Sequence, residues 1–224
     1  MKIGIGVTSY NRPKHLDLWV EQILPITPEN VKVHIEVDKD TDRRGVAYRK
    51  NECLKALKGC DYIFLFDDDC FPIAEGWIDF FINAHKETGQ HHFLYLKETS
   101  TIKKINENNG IAKYNNCGGT MLFLTKKVIK EVGGFCKDYG IYGYEHAGYS
   151  RRIHAAGLTP MGEYLSPLGT EDFIYAMDYD NYLPFNKQVN HKPSLIDELN
   201  SLESYVQKNK SVFLEDIKTT FQAL

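Results

Sequence analysis

The 224-residue chain reads as an α/β protein with a mostly parallel central sheet flanked by helices, and three observations predict it. Within the first seventy residues, strand-like and helix-like runs alternate as strand, helix, strand, helix, strand, the order that builds a parallel, doubly wound sheet. The third strand-like run, residues 62–66, is nearly all apolar, as a strand buried on both faces is. All three runs end in polar clusters: Ser9-Tyr10-Asn11, Asp38 through Asp40, and Asp67-Asp68-Asp69. Ligands of such sheets bind beyond the carboxyl ends of the strands, so three independent segments aim polar groups at one rim.

Taken in order, residues 3–8 alternate Ile, Gly, Ile, Gly, Val and Thr and form the first strand. The turn Ser9-Tyr10-Asn11-Arg12-Pro13 leads into a helix through Leu24, since proline is well tolerated in a first helical turn. Residues 31–37 are rich in β-branched side chains and close on Asp38-Lys39-Asp40-Thr41-Asp42. A helix over 45–57 follows, with Val46, Leu54 and Leu57 among its apolar positions, and a third helix spans about 75–86. Trp77 on that helix is a candidate acceptor platform, although a helix-borne Trp is more often core. Residues 93–96 and 120–124 read as further strands, and the polar, Asn-rich segment 97–116 between them as a surface excursion near the site. A short helix over 125–132 stops at Gly133-Gly134. A turn over 140–143, with Tyr139, Tyr142 and Tyr144 around it, precedes a helix over 145–156 capped by Gly157. Ser194 is the N-cap of an amphipathic helix with Leu195, Leu199, Leu202 and Val206 on one face.

Composition narrows the function classes. The hydrophobic fraction of 42% and charged fraction of 25% are those of an ordinary folded domain. A net charge of −3 and a pI near 6.2 disfavour nucleic acid as a partner, although a local basic stripe would still allow it. The five cysteines, Cys53, Cys60, Cys70, Cys117 and Cys136, form no CxxC pair, and their odd number leaves one unpaired. That reads as reduced thiols, not as a disulfide framework or a zinc site. With no signal peptide after Met1-Lys2 and no apolar run of ~18 residues, the expected location is cytoplasmic, with at most peripheral membrane contact.

Asp67-Asp68-Asp69 is the sharpest chemical feature. Three adjacent carboxylates repel, and at the end of an apolar strand they are partly desolvated unless a cation or hydrogen-bond donors offset the cost. In extended chain, residues i and i+2 point the same way, so Asp67 and Asp69 converge on one ion. Oxygen ligands suit Mn²⁺ or Mg²⁺, the other positions going to water and phosphate oxygens. The competing reading is a solvated acidic turn. The cluster alone does not choose among phosphatase, nuclease, nucleotidyltransferase and glycosyltransferase.

Order and company make that choice. The sequence resembles the GT-A glycosyltransferases, especially the family 2-like ones, in four segments spanning residues 3 to about 160 in the family's order. These are Val7-Thr8-Ser9-Tyr10-Asn11-Arg12; Gly45-Val46-Ala47-Tyr48-Arg49-Lys50-Asn51; Phe64-Leu65-Phe66-Asp67-Asp68-Asp69 with Pro72; and Gly118-Gly119-Thr120-Met121-Leu122-Phe123 through Gly133-Gly134-Phe135 to Tyr142-Gly143-Tyr144-Glu145. The resemblance implies a Rossmann-like nucleotide-diphospho-sugar transferase fold. It divides the chain into a catalytic domain over 1–190, with a nucleotide-sugar half (about 1–96) and an acceptor half (about 97–190), and a C-terminal helical extension over 191–224.

The resemblance also implies roles. Thr8, Tyr10, Asn11 and Arg12 fall in the turn that holds the nucleoside. Asp38 matches the acid that meets the base, often uracil, and Arg49 the basic residue near base and phosphates. Asp67, Asp68 and Asp69 match the DxD region, with Asp67 and Asp69 toward the metal. Gly118 and Gly119 allow close backbone approach to the donor sugar. His191 is the best-placed histidine for a third metal ligand.

The family usually shows Glu-Asp at the start of the later helix, the Asp being the base that deprotonates the acceptor hydroxyl. Here the pair is Glu145-His146, so either His146 is the base or Glu145 does that work beside it. The departure leaves inverting and retaining stereochemistry both open. The expected activity is metal-dependent transfer of a sugar from a nucleotide-diphospho-sugar, UDP-linked in the first instance, to a hydroxyl acceptor such as a glycan. The alternatives are a metal-dependent nucleotidyltransferase or phosphohydrolase, and a non-catalytic nucleotide-sugar-binding module.

Overall fold

The fold is described from a computed structural model covering residues 1–179, 187–189 and 207–224. Its strands are β1 (Ile3–Tyr10), β2 (Lys32–Asp38), β3 (Tyr62–Asp67), β4 (Cys70–Pro72), β5 (His92–Leu94), β6 (Lys104–Asn108), β7 (Ile111–Tyr114), β8 (Met121–Thr125), β9 (Leu165–Pro167) and β10 (Ile174–Ala176). Its helices are α1 (Pro13–Ile23), α2 (Val46–Ala56), α3 (Trp77–Thr88), α4 (Lys126–Glu131) and α5 (Glu145–Ala155). Residues 207–216 are also helical. The amphipathic helix predicted from Ser194 lies outside the described residues.

The central sheet has the order β2-β1-β3-β8-β5. β1 pairs in parallel with β2 and β3, while β8 is antiparallel to both β3 and β5. Four of its five strands therefore run one way and β8 alone runs back, so the sheet is mixed but mostly parallel. Alternation along the strands builds two separate cores. Ile5, Val7, Phe64, Phe66 and Phe123 face α1 and α3, where Trp19, Trp77 and Phe81 are fully buried. Ile63, Leu65, Leu122 and Leu124 face α2, α4 and α5. The glycines of β1 belong to the second face: a Cβ at Gly4 would strike Leu57 and Cys60, and one at Gly6 would strike Cys53 and Leu65. The Ile-Gly-Ile-Gly alternation is thus large side chains toward one helix layer and close backbone packing of α2 on the other.

Trp77 packs its ring 4.7 Å from Phe64 and 5.7 Å from Phe66, so it is core and not a platform. The segment 97–116 holds more order than an excursion. β6 and β7 form a hairpin, and β7 pairs onward with β9. Asn109 and Gly110 occupy its turn with φ of 48° and 73°, the left-handed pair that an Asn-Gly hairpin turn uses. β6 is exposed throughout, so its polar composition is that of a strand with no core to face. The five cysteines are all free thiols. Among the described residues, no helix is long and apolar enough to cross a membrane.

His92 on β5 is 1% exposed, held by the Phe123 carbonyl at 2.9 Å and Ser150 Oγ at 2.9 Å. Burial lowers its pKa from the ordinary 6.5 to about 4. As pH falls, the unfolded chain therefore takes up this proton before the folded one does. The stabilisation is complete above pH 6.5 and is lost between 6.5 and 4, a change of roughly 3 kcal/mol. We expect His92→Gln to flatten the decline of Tm across that window, measured by calorimetry in matched buffers; equal slopes for the two proteins would refute it.

Candidate active site

Strand register assembles the rim. Thr8 lies beside Asp67 and Tyr10 beside Asp38 across the parallel pairs, so the ends of β1, β2 and β3 meet at one edge. A cavity of about 640 Å³ opens there. It is lined by Thr8, Ser9, Tyr10, Asn11, Arg12, Asp38, Arg49, Asp67, Asp69, Gly118, Gly119 and His146 from the expected set. Arg43, Thr99, Thr101, Ile102, Ile141, Tyr142, Asp178 and Tyr179 complete much of its wall.

The three aspartates divide as the i, i+2 argument requires. Asp67 and Asp69 line the cavity, while Asp68 turns inward and is fully buried. Asp68 accepts from Ser9 Oγ at 2.5 Å and from Arg12. Burial raises its pKa above the ordinary carboxylate range, and Arg12 offsets only part of that rise. The same Arg12 donates to Asp69 Oδ2 at 2.8 Å. Its own burial works against its charge, but Asp69 and Asp68 outweigh burial and raise its pKa. Asp67 Oδ1 is 2.8 Å from the ammonium of Lys50 and accepts from Thr8 Oγ1 at 3.1 Å.

At the ends of β1 and β2, Tyr10 donates its hydroxyl to Asp40 at 2.6 Å, and Asn11 takes the left-handed conformation at φ 54° beside it. Asp38 is a structural hub as well as a wall residue. It accepts from the Arg44 and Gly45 amides at 2.9 and 2.7 Å and from Arg49 Nε at 3.0 Å. Both Asp38 oxygens are therefore engaged in holding the loop that enters α2. Arg43 lies 4.0 Å over the Tyr10 ring and lines the cavity. Arg12 and Arg49 spend their charge on carboxylates, whereas this cation stacks on an aromatic face.

At the start of α5, Glu145 is 2% exposed, accepts from the Gly143 amide at 2.6 Å, and places Oε1 3.0 Å from His146 Nδ1. Burial would raise its pKa, but His146 and Lys50 outweigh burial and lower it. His146 Nε2 is 2.7 Å from Lys50 Nζ, which also donates to the Gly119 carbonyl at 3.1 Å. An ammonium only donates, so Nε2 accepts and Nδ1 carries the proton toward Glu145. Glu145, His146, Lys50 and Asp67 thus form one continuous chain from α5 to the end of β3. Gly119 serves this chain: a Cβ there would overlap the His146 ring, and one at Gly118 would overlap the Tyr179 hydroxyl. Of the three tyrosines, Tyr142 lines the cavity, Tyr139 is buried against Asp216, and Tyr144 stacks on Phe213.

Lys50 and Arg43 are the functional candidates that sequence reasoning passed over. Lys50 did leave a signal. It sits four residues from both Val46 and Leu54, inside the apolar stripe of α2, and a lysine in that stripe needs buried partners. His191 lies outside the described residues. Among the described residues, no group of three or more His, Cys, Asp or Glu side chains forms a metal cage. Asp67 and Asp69 nonetheless fit a hard divalent cation, which is commonly held by one or two carboxylates with phosphate and water completing its shell.

No protein-family model matches the chain. An uncharacterized glycosyltransferase of Acanthamoeba polyphaga mimivirus is 28% identical over 195 residues, covering 71% of this chain and 76% of the relative. The structure of TarS from S. aureus in complex with UDP matches with a TM-score of 0.51 at 13% identity, over 93% of this chain and 74% of that one. The chain therefore has the fold of the GT-A glycosyltransferases. A mannosyltransferase of Pyrobaculum calidifontis, solved with GDP-Man and Mn²⁺, matches at TM-score 0.50 and 12% identity over 68% of this chain. The chain spans about half the length of that structure, 51%.

Two substitutions probe the buried chain. Lys50→Met leaves His146 and Asp67 without their shared cation, and Asp67 is a quarter exposed and can rehydrate. We expect a loss of about 3 kcal/mol in urea unfolding, the low end for breaking a buried pair. Gly119→Ala should displace the His146 ring while the sheet stays intact, read as changed histidine NMR signals with unchanged far-UV circular dichroism. An unmoved His146 resonance would contradict the packing.

Proposed function

We propose that the protein transfers a sugar from a nucleotide-diphospho-sugar, UDP-linked, to a hydroxyl acceptor such as a glycan, with Mn²⁺ or Mg²⁺ held at Asp67 and Asp69. The observation that carries this reading is the shared cavity. Asp67 and Asp69 line it from the end of β3, and His146 lines it from α5, with Lys50 bonded to both sides. The solved relatives named above hold UDP in one case and GDP-Man with Mn²⁺ in the other, which supports a nucleotide-sugar donor.

A bound divalent cation supplies Lewis-acid stabilisation of charge on the leaving nucleotide. The remaining work belongs to the chain. Tyr10, Asn11, Asp38 and Arg49 surround the nucleoside, with Thr8 and Arg12 ordering the carboxylates behind it. Arg43 is the cavity cation that stacks on Tyr10 instead of pairing with a carboxylate, and it meets the diphosphate. Gly118 and Gly119 keep the wall thin beside the donor sugar. His146 is the proton acceptor, because it lines the cavity while Glu145 lies behind it and fixes the Nδ1–H tautomer. Acceptance of the proton at Nε2 requires Lys50 to give up that contact and rest on Asp67 and the Gly119 carbonyl. His191 completes the proposed metal set. The net charge of −3 sets nucleic acid low among acceptors, and five free thiols support a cytoplasmic location. The proposed division remains a donor half over about 1–96, an acceptor half over about 97–190 and an extension over 191–224.

The test is calorimetric titration with UDP, in Mn²⁺ and again after chelation. Binding should require the metal, and Asp69→Ala should abolish it. Arg43→Ala should weaken nucleotide-sugar binding roughly tenfold or more, the worth of a charge-assisted contact. UDP binding that survives the chelator undiminished would sink the metal assignment. Failure of UDP, GDP, CMP and dTDP alike would sink the donor assignment.

A further inference from the structure

The helix at residues 207–216 is remote from the cavity in sequence, yet it grips the loop that forms the cavity's acceptor wall. That loop, 139–144, contributes Ile141 and Tyr142 to the wall and delivers the chain into α5. Tyr144 sits at φ 69°, a conformation that is costly for a bulky side chain and persists only where its surroundings over-determine it.

Asn209 supplies that determination. It is 1% exposed, and its side-chain amide donates to three carbonyls of the loop: Tyr139 at 2.8 Å, Tyr142 at 2.7 Å and Gly143 at 3.2 Å. Two N–H bonds serve three acceptors, so one is shared. Gly143 is also the residue whose amide holds Glu145 Oε2 at 2.6 Å. Asn209 therefore holds the same residue that fixes the carboxylate orienting His146. A second tie lies behind the first. Arg152 Nε on α5 is 3.0 Å from Asp216 Oδ1 with both side chains fully buried, and Asp216 Oδ2 accepts from the Tyr139 hydroxyl at 2.9 Å. From the opposite side, the Val46 amide at the start of α2 donates to the Ile141 carbonyl at 3.1 Å.

We infer that Asn209, backed by Asp216, is a positioning residue for the Glu145–His146 pair: the C-terminal helix sets where the imidazole stands in the cavity. The catalytic half of this inference rests on the transferase reading above; the ordering of the loop does not. Asn209→Asp keeps the shape and removes every donor, while Asn209→Ser keeps one shorter donor and tolerates folding better.

Three readouts decide it: Tm, amide hydrogen exchange over residues 139–146 against β1, and nucleotide release from the donor sugar. Exchange should rise roughly tenfold or more over 139–146 and stay unchanged in β1. The kcat should fall roughly tenfold to a hundredfold with donor KM nearly constant, and Asn209→Ser should recover part of it. Unchanged exchange in the loop overturns the inference, as does a uniform rise with a fallen Tm, or full kcat despite a loosened loop. If the wild-type protein releases nucleotide from no donor, the transferase reading has failed, and the exchange pattern still supports or overturns the loop assignment.

Discussion

Three adjacent carboxylates at the end of a strand buried on both faces are the constraint around which the rest of the molecule is arranged. Arg12 bridges Asp68 and Asp69, and Lys50 meets Asp67, so two cations offset the cluster. Neither cation is free to be elsewhere. Arg12 must follow β1 directly, which explains a helix that starts at Pro13 with its guanidinium turned back over the end of β3. Lys50 must reach the end of β3 from α2, which explains a fully buried lysine among the inward positions Ala47, Asn51, Cys53 and Leu54. A bare, solvated acidic turn would need neither.

The same lysine makes the two halves of the chain interdependent. Its ammonium touches Asp67 of β3, the Gly119 carbonyl before β8 and the imidazole of α5. Ground lost by one of these is felt by the others, since a buried cation with a missing partner has no water to fall back on. The carboxylates at the end of β3 and the imidazole of α5 are therefore one electrostatic unit assembled from segments far apart in sequence. Gly119 is small because the ring of His146 lies against it. The Glu-His pair, where the sequence resemblance leads one to expect Glu-Asp, becomes intelligible here: the carboxylate faces inward to the Gly143 amide, and the ring reaches from it to Lys50.

Much of the fold was legible in the sequence because burial patterns are local. The glycine alternation of β1, the apolar run of β3 and the helix stops at Gly134 and Gly157 all depend on near neighbours, and they placed five strands and five helices within a few residues. The i, i+2 rule separated Asp67 and Asp69 from Asp68 before any packing was known. The hairpin over 104–114 escaped because β6 faces no core, so nothing in its composition marks a strand except the Asn109-Gly110 turn.

What the sequence determined alone was a mostly parallel α/β sheet, its carboxylate rim, and the resemblance that suggested a glycosyltransferase. Tertiary structure alone decided the reversed direction of β8, since a strand's alternation reads the same from either end. It likewise decided that Lys50 joins Asp67 to His146, that Asp38 spends both oxygens on the loop into α2, and that Asn209 holds the turn before Glu145. Each of these is a contact between segments distant in sequence, and residue type and spacing carry no record of which distant polar group a buried donor will find. That partner is selected only when the two cores close and water is no longer there to take its place.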